Sequence, residues 1–325
     1  MRASVPPIIP PRELKPGARV LVTGGAGFIG ANLVRILLRQ SYRVRVLDNF
    51  TAGQRQYLSG LDIEIITGDI CDREAIASAI RGCDAVVHLA ARTSVIDSVA
   101  DPIANFETNV SGTLLLLQAS VASGIERFIF ASSNAAVGDQ ALPMDELSVP
   151  RPLSPYGASK LAGEAYCHSF FRSYGLRTVI LRFANVYGPW SWHSENVISR
   201  FIRRMLNDEP ITIYGDGKQT RDFIFVTDVV QAIVLALDYP FGGEVFQIGT
   251  GRETTLLELI QLLGEISGRA PRLHWMPQPA GEIRRNYTSF AKAQQVLGFV
   301  PRVHLREGLA RTYEWFTEWM RRQRT

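Results

Sequence analysis

Residues 23–33, TGGAGFIGANL, follow the apolar run RVLV and open the segment FIGANLVRILLRQ, whose apolar residues recur at helical spacing. The glycines Gly24, Gly27 and Gly30 are spaced G-x-x-G-x-x-G. A tight strand-to-helix turn needs one residue without a Cβ, and close approach of a pyrophosphate to the backbone needs another. The third lets helix and strand pack closely. A pyrophosphate placed there meets the helix dipole and the free N–H groups of the first turn, around Phe28, Ile29 and Gly30. Alone, such glycines mark only a tight turn. Between a strand and a helix they mark a dinucleotide site.

On either side of this turn the chain alternates short β-rich runs with helical patterns. RVLVTG, RVRVLD, DIEIITGD, AVVHLA, RFIFASS and TVILRF read as strands, dense in Val and Ile with little polar alternation. Strands covered on both faces have that composition. The expected fold class is α/β, a Rossmann-type doubly wound parallel sheet with a smaller, discontinuous C-terminal substrate-binding lobe. Residues 1–17 form a proline-rich lead-in, and 18–184 the cofactor domain with return segments about 222–249. Residues 185–221 and 250–325 form the lobe. DFIFV, the helix TDVVQAIVLALDY and the strand EVFQIG are expected to return to the main sheet.

Asp48 ends the second strand, 18 residues past Gly30, where a carboxylate accepts from both ribose hydroxyls. It would repel a 2′-phosphate, so the expected cofactor is NAD and not NADP; its bland reading is a strand-end cap. Asn49 follows it. Asp69, with Ile70 after it, ends the third strand, either reaching the adenine or closing an Asx turn. Leu89, Ala90 and Ala91 end the fourth strand with room for the cofactor, and His88 packs beneath the site.

The chain has 325 residues, 46% hydrophobic and 20% charged, with net charge +4. Its cations are scattered among acids, which argues against nucleic-acid binding. The cluster Arg321, Arg322 and Arg324 reads as a solvated tail. Three cysteines without metal-ligand spacing suggest reduced thiols in a cytoplasmic protein and no bound metal. The lead-in carries no apolar stretch of signal-peptide or membrane-spanning type.

In SPYGASK, residues 154–160, Tyr156 and Lys160 are four apart and share one helix face, with Pro155 suited to the first turn. A free tyrosine, with a pKa of ~10, is a poor base. A neighbouring ammonium and a cationic nicotinamide are expected to lower it. Tyr-x-x-x-Lys alone is common by chance. After the glycine turn and strand-end serines it becomes specific.

With these residues the chain resembles the extended short-chain dehydrogenase/reductases, and among them the nucleotide-sugar epimerases and dehydratases. TGGAGFIG, LDN at Asp48, GD at 68–69, HLAA, TNVSGT with Asn109, YGASK and GDGKQTRDFIFVTDV carry the resemblance, from about Arg19 to Trp315. It implies that Ser133 holds the reacting sugar oxygen and that Tyr156 is the acid/base. Lys160 would bond the nicotinamide ribose and tune Tyr156. Asn109 would lie in the helix beside the fourth strand. The resemblance also places Asn185, Asn196 and Val197 at the diphosphate and sugar, Arg221 on the diphosphate, and Thr212 and Tyr214 at the uracil or thymine ring. Each has a plainer reading: Asn185 as a turn cap, for example, or Arg221 paired with Asp222 or Asp228.

The resemblance gives the stretch after Ser133 particular weight. Dehydratases and decarboxylases of this family carry an acid there, a base that takes a proton from C5; this chain has Asn134 and Ala135. What remains is oxidation at C4 and reduction back, hence an NAD-dependent 4-epimerase of a UDP-sugar such as UDP-glucose. A C6 carboxylate could meet Ser132, Asn134 or Arg92, so UDP-glucuronate stays open. So do a 4-ketoreductase that releases its cofactor and a non-catalytic NAD-sensing scaffold. Two departures from the family stand out: Ala136-Val137-Gly138 replaces Val-Tyr-Gly, and Gln278-Pro279 stand where an arginine is common before PAGE, leaving Arg284 or Arg285 as a substitute. Asn286 is placed near the sugar's C2 substituent. TLLLLQASVASG, 113–124, is apolar around most of its circumference, and the family pairs subunits through this helix and the one bearing Tyr156. A homodimer is expected.

Overall fold

The computed structural model describes residue 14 and residues 17–277 and 284–324. The lead-in, apart from Leu14 and Gly17, and the PAGE turn with Gln278 and Pro279 lie outside the described residues. The elements are β1 (Arg19–Thr23), α1 (Phe28–Arg39), β2 (Arg43–Asp48), β3 (Glu64–Thr67), α2 (Arg73–Ile80) and β4 (Ala85–His88). Next come α3 (Val95–Ala100), α4 (Pro102–Phe106), α5 (Gly112–Ala122), β5 (Arg127–Ser133), α6 (Pro155–Tyr174), β6 (Arg177–Phe183) and β7 (Asn185–Tyr187). Then follow α7 (Val197–Leu206), β8 (Ile211–Tyr214), β9 (Thr220–Arg221), β10 (Phe223–Phe225), α8 (Val226–Asp238) and β11 (Glu244–Ile248). The chain closes with β12 (Thr254–Thr255), α9 (Leu256–Ser267), β13 (Leu273–Met276), α10 (Ala291–Leu297) and α11 (Leu305–Arg324).

Seven parallel strands form the main sheet in the order β11-β6-β5-β4-β1-β2-β3. The chain winds outward from β1 to β3, then crosses to β4 and winds the other way. That reversal opens a crevice at the C-terminal ends of β1 and β4, where such sheets bind ligands. Both faces of the sheet are apolar. Val20, Val22, Ile129 and Ala131 pack towards α1 and α8 on one side. Leu21, Phe128, Phe130 and Ile180 pack towards α2, α5 and α6 on the other. Each fully buried Val, Leu or Phe contributes about 1.5–3 kcal/mol, and the odd–even division follows from the twofold alternation of strand side chains.

DFIFV does not join the main sheet as expected. Phe223–Phe225 forms β10, which pairs with β7 in a separate two-stranded ribbon. Its aromatic side chains Phe223 and Phe225 are spent on a second core, with Tyr187, Phe201, Ile213, Leu259 and Phe316. An apolar run reports burial without naming the strand it pairs with. α8 and β11 do return, β11 pairing beside β6. A third cluster joins the two cores: Tyr57, Trp190, Trp315 and Trp319 lie edge-to-face or stacked, and the Arg35 guanidinium covers Trp190 at 3.8 Å. This ties α11 to α1. No helix among the described residues is long and apolar enough to cross a membrane.

Candidate active site

At the crevice the chain leaves β1 through Gly24, whose φ of +70° suits glycine; a Cβ there would lie 2.8 Å from the Ala90 nitrogen. At Gly30 a Cβ would lie 2.3 Å from the Gly24 carbonyl oxygen. Strand, turn and helix are therefore in contact, with Leu89, Ala90 and Ala91 half-buried alongside. Gly27 is the N-cap of α1 and supplies no side-chain cap, and no acid lies in the first turn. The N–H groups of Phe28, Ile29 and Gly30 are thus left for an anion, as a dinucleotide pyrophosphate requires.

Asp48, buried at the end of β2, accepts from the N–H groups of Ala26 at 2.9 Å and Phe50 at 2.8 Å. Burial raises its carboxyl above the ordinary range, partly offset by those two bonds. Asn49 donates to Asp69 at 2.6 Å, and Asp69 also accepts from Cys71 N–H at 2.8 Å. Asp69 thus closes the Asx turn of its plainer reading while standing beside Asp48's neighbour. Ile70 is buried beneath them. The side chains fit an adenosine end without a 2′-phosphate.

Below the crevice lies a chain of bonds the sequence did not reveal. The Thr113 hydroxyl donates to the Asn109 carbonyl at 2.6 Å, so it accepts from His88 Nε2 at 2.9 Å. His88 Nδ1 then accepts from the Thr23 hydroxyl at 2.7 Å. This assigns a neutral imidazole, in keeping with full burial, which pushes His88 down to about 3 with some help from Lys160. Packing beneath the site is its role.

Asn109 sits in a π-helical segment, Glu107–Ser111, between α4 and α5. Such widened turns recur at functional sites. It accepts from Arg92 N–H at 2.8 Å and donates to Ser159 at 3.0 Å. Ser159 in turn donates to the Tyr156 carbonyl at 2.8 Å, and Tyr156 N–H donates to Ser98 at 3.1 Å. Ser154 caps α6 by accepting from Gly157 N–H, with Pro155 in the first turn. Ser98 and Ser159, missed in the sequence, therefore fix the start of α6; Ser159 is signalled only by lying three residues past Tyr156, and Ser98, 58 residues away, by nothing in the sequence.

Ser133, at the end of β5, hydrogen-bonds the Tyr156 phenol. Lys160, one turn further along α6, donates to the Ala131 carbonyl at 2.8 Å. Both are buried. Burial pushes Lys160 down to about 8, opposed by Cys167 and Glu164. The expected lowering of Tyr156 is not produced by the chain itself: burial raises the phenol, and Ser133 offsets only part of this. The ammonium is turned to Ala131, so it does not compensate.

Ser132 requires correction. It lies on the α6 side of β5 with Phe128 and Phe130, and its hydroxyl donates to Glu164 at 2.5 Å. It is spent inside the protein and does not face a sugar with Ser133. Asn134, buried, donates to Asn286 Oδ1 at 3.4 Å, bringing Asn286 beside the serine loop. Asn185 lies against Asp222, donating from both its backbone and its side chain to that carbonyl. Arg221 is next to it, bonded through Nη1 to the Thr220 carbonyl. The carboxylate of Asp222 is instead held by Thr250 and Gly251, and that of Asp228 by Val303 N–H. Asn196 is the N-cap of α7, accepting from Ser199 N–H at 2.8 Å, and Val197 is its first helical residue. In β8, Ile211 and Ile213 enter the second core and leave Thr212 and Tyr214 on the other face. Arg284 is paired with Asp216 and Arg285 with Glu253. Among the described residues no cluster of metal-ligand type occurs.

A dinucleotide crevice facing a Ser–Tyr–Lys group defines the class: an α/β enzyme fold arranged for nicotinamide chemistry. Residues 20–249 match the model of the NAD dependent epimerase/dehydratase family, and the chain belongs to that family, whose cofactor is NAD. A UDP-glucose 4-epimerase of Thermotoga maritima, solved with UDP-glucose, superimposes with a TM-score of 0.89 at 39% identity, covering 93% of this chain and 99% of that one. The UDP-glucose 4-epimerase of Mycolicibacterium smegmatis is 37% identical over 92% of this chain and 98% of its own length. A dTDP-glucose 4,6-dehydratase of Streptomyces niveus is 35% identical over 92% and 93%. The relatives thus include epimerases and dehydratases alike.

Proposed function

We propose that the protein is a 4-epimerase of a nucleoside-diphosphate hexose, with UDP-glucose and UDP-galactose as the substrate pair. The observation that carries this reading is the pair Asn134–Ala135 beside Ser133, Tyr156 and Lys160. Neither can take a proton from carbon, and the one acid of α6, Glu164, is spent on Arg182 and Ser132. A proton shuttle on oxygen remains, without a base for elimination.

Gly24, Gly27, Gly30, Asp48, Asp69 and Asn109 surround the crevice that would hold NAD. When bound, NAD supplies the acceptor and donor for the C4 hydride. Ser133 holds the C4 oxygen, and Tyr156 takes the hydroxyl proton and later returns it. Lys160, still largely protonated at neutral pH with its pKa about 8, would stabilise the phenolate that forms by turning its ammonium from the Ala131 carbonyl towards it. Arg221, Asn185, Asn196, Thr212 and Tyr214 are proposed to hold the nucleotide end, so that the sugar can turn over between the two transfers. A neutral hexose is favoured over a uronate because Ser132 is withdrawn to Glu164 and the Asn134 amide is paired with Asn286.

The same reading includes a second copy of the chain. Val95, Ile96 and Val99 of α3, and Ile103 and Phe106 of α4, are each at least 48% exposed. This apolar band lies beside α6, and its burial would suit a homodimer.

Incubation with UDP-galactose, followed by proton NMR, tests the assignment: UDP-glucose should accumulate without added reductant. Tyr156→Phe should lower the rate by about 10²–10⁴ with cofactor binding nearly unchanged. Full activity in that variant, or a dehydrated product from the parent, contradicts the proposal.

A further inference from the structure

One buried ion pair lies outside the machinery described so far. Arg182 on β6 holds the Glu164 carboxylate with two parallel bonds, Nε at 2.9 Å and Nη2 at 2.6 Å. Ser132 supplies a third at 2.5 Å. Both charged side chains are about 95% buried. Glu164 follows Lys160 by four residues and Tyr156 by eight, so all three share one stripe of α6. Ser132 and Arg182 are register partners on adjacent strands, and Ala131, which holds Lys160, immediately precedes Ser132.

Stability alone does not explain this pair. Buried ion pairs are often no better than apolar residues of the same volume. Here Arg182 Nη1 and the Oε1 of its register partner Gln247 are both buried without a hydrogen-bond partner among the described residues. The geometry points to Glu164 and Arg182 as positioning residues for the reaction: an internally neutral pair, anchored to β5 through Ser132, that sets the charge environment in which Lys160 and Tyr156 act. This rests on the reading of Tyr156 and Lys160 as the acid/base pair. Glu164 supports the ammonium one turn away, and Arg182 prevents it from capturing that ammonium outright.

The other groups around the stripe leave room for such control. His88 from β4 is neutral, and Cys167 on α6 is a thiol pushed up by burial. Ser133 carries no charge, and neither does α5. Asp97 of α3, Asp101 beside α4, Glu107 of the π-helical turn and Arg92 are exposed, where water screens them.

The test reads Lys160 without requiring turnover. The stability difference between each protein and its Lys160→Met derivative, followed with pH, inflects at the lysine pKa; in the parent it should inflect near 8. Glu164→Gln, which leaves Arg182 uncompensated, should move the inflection down by about one pH unit, and Arg182→Met should move it up by about as much. The double variant should return it. If Glu164→Gln does not fold, Arg182→Met and Ser132→Ala, which both leave the carboxylate less compensated, should still raise it. Opposite shifts support the pair even where the protein fails to epimerise a hexose, which would count against the function alone. Inflections that stay in place, or that Glu164→Gln and Arg182→Met move in the same direction, overturn the positioning role whatever the activity.

Discussion

At the scale of single residues, burial governs the site more than pairwise contacts do. Lys160 is pushed down to about 8, against about 10.4 for a free lysine. Between those values the unfolded chain holds a proton that the folded protein lacks, so stability rises with pH through this window. Below pH 8 the cost of the buried ammonium is fully present, on the order of 3 kcal/mol. Lys160→Met should therefore gain stability relative to the parent at pH 7, and the gain should shrink above pH 8; denaturant melts across pH 6–10 measure it. Tyr156 and Lys160 were legible from their spacing and Asp48 from its distance to the glycine turn. Ser132 meets Glu164 and not the site because adjacent serines point to opposite faces of a strand, and the sequence does not say which one turns to α6. Glu164 left a signal of its own, an acid one helical turn past Lys160.

At the scale of elements, the glycine turn makes one object of β1, α1 and the end of β4. Gly30→Val should cost about 1–3 kcal/mol, because its side chain would enter the space of the Gly24 carbonyl. Urea denaturation reads the loss, and NAD affinity should fall with it; unchanged values would mean the turn has slack. The strands of the main sheet could be read from their Val- and Ile-rich runs. DFIFV departs from the main sheet expected for it because its three-residue strand, as apolar as a sheet-core strand, pairs with β7. The π-helical turn at Asn109 left no periodic signature, since it spans only five residues.

At the scale of the whole molecule, the sheet core and the second core are joined by aromatic packing that composition does not reveal. Trp190 lies far in sequence from Trp315 and Trp319, which are one turn apart on α11, and all three meet Tyr57 against α1. The exposed band on α3 and α4 belongs to the same scale. Replacing Ile96 and Ile103 together by Glu should turn a dimer into a monomer in light scattering, and a mass that does not change would remove this face from the interface. The central claim is that one carbinol centre is oxidised and reduced again with nothing eliminated. UDP-galactose deuterated at C4, incubated with the protein and read by NMR, tests it most directly. The account predicts UDP-glucose with the deuterium still on C4. Deuterium found on another carbon, or lost to solvent, would contradict it.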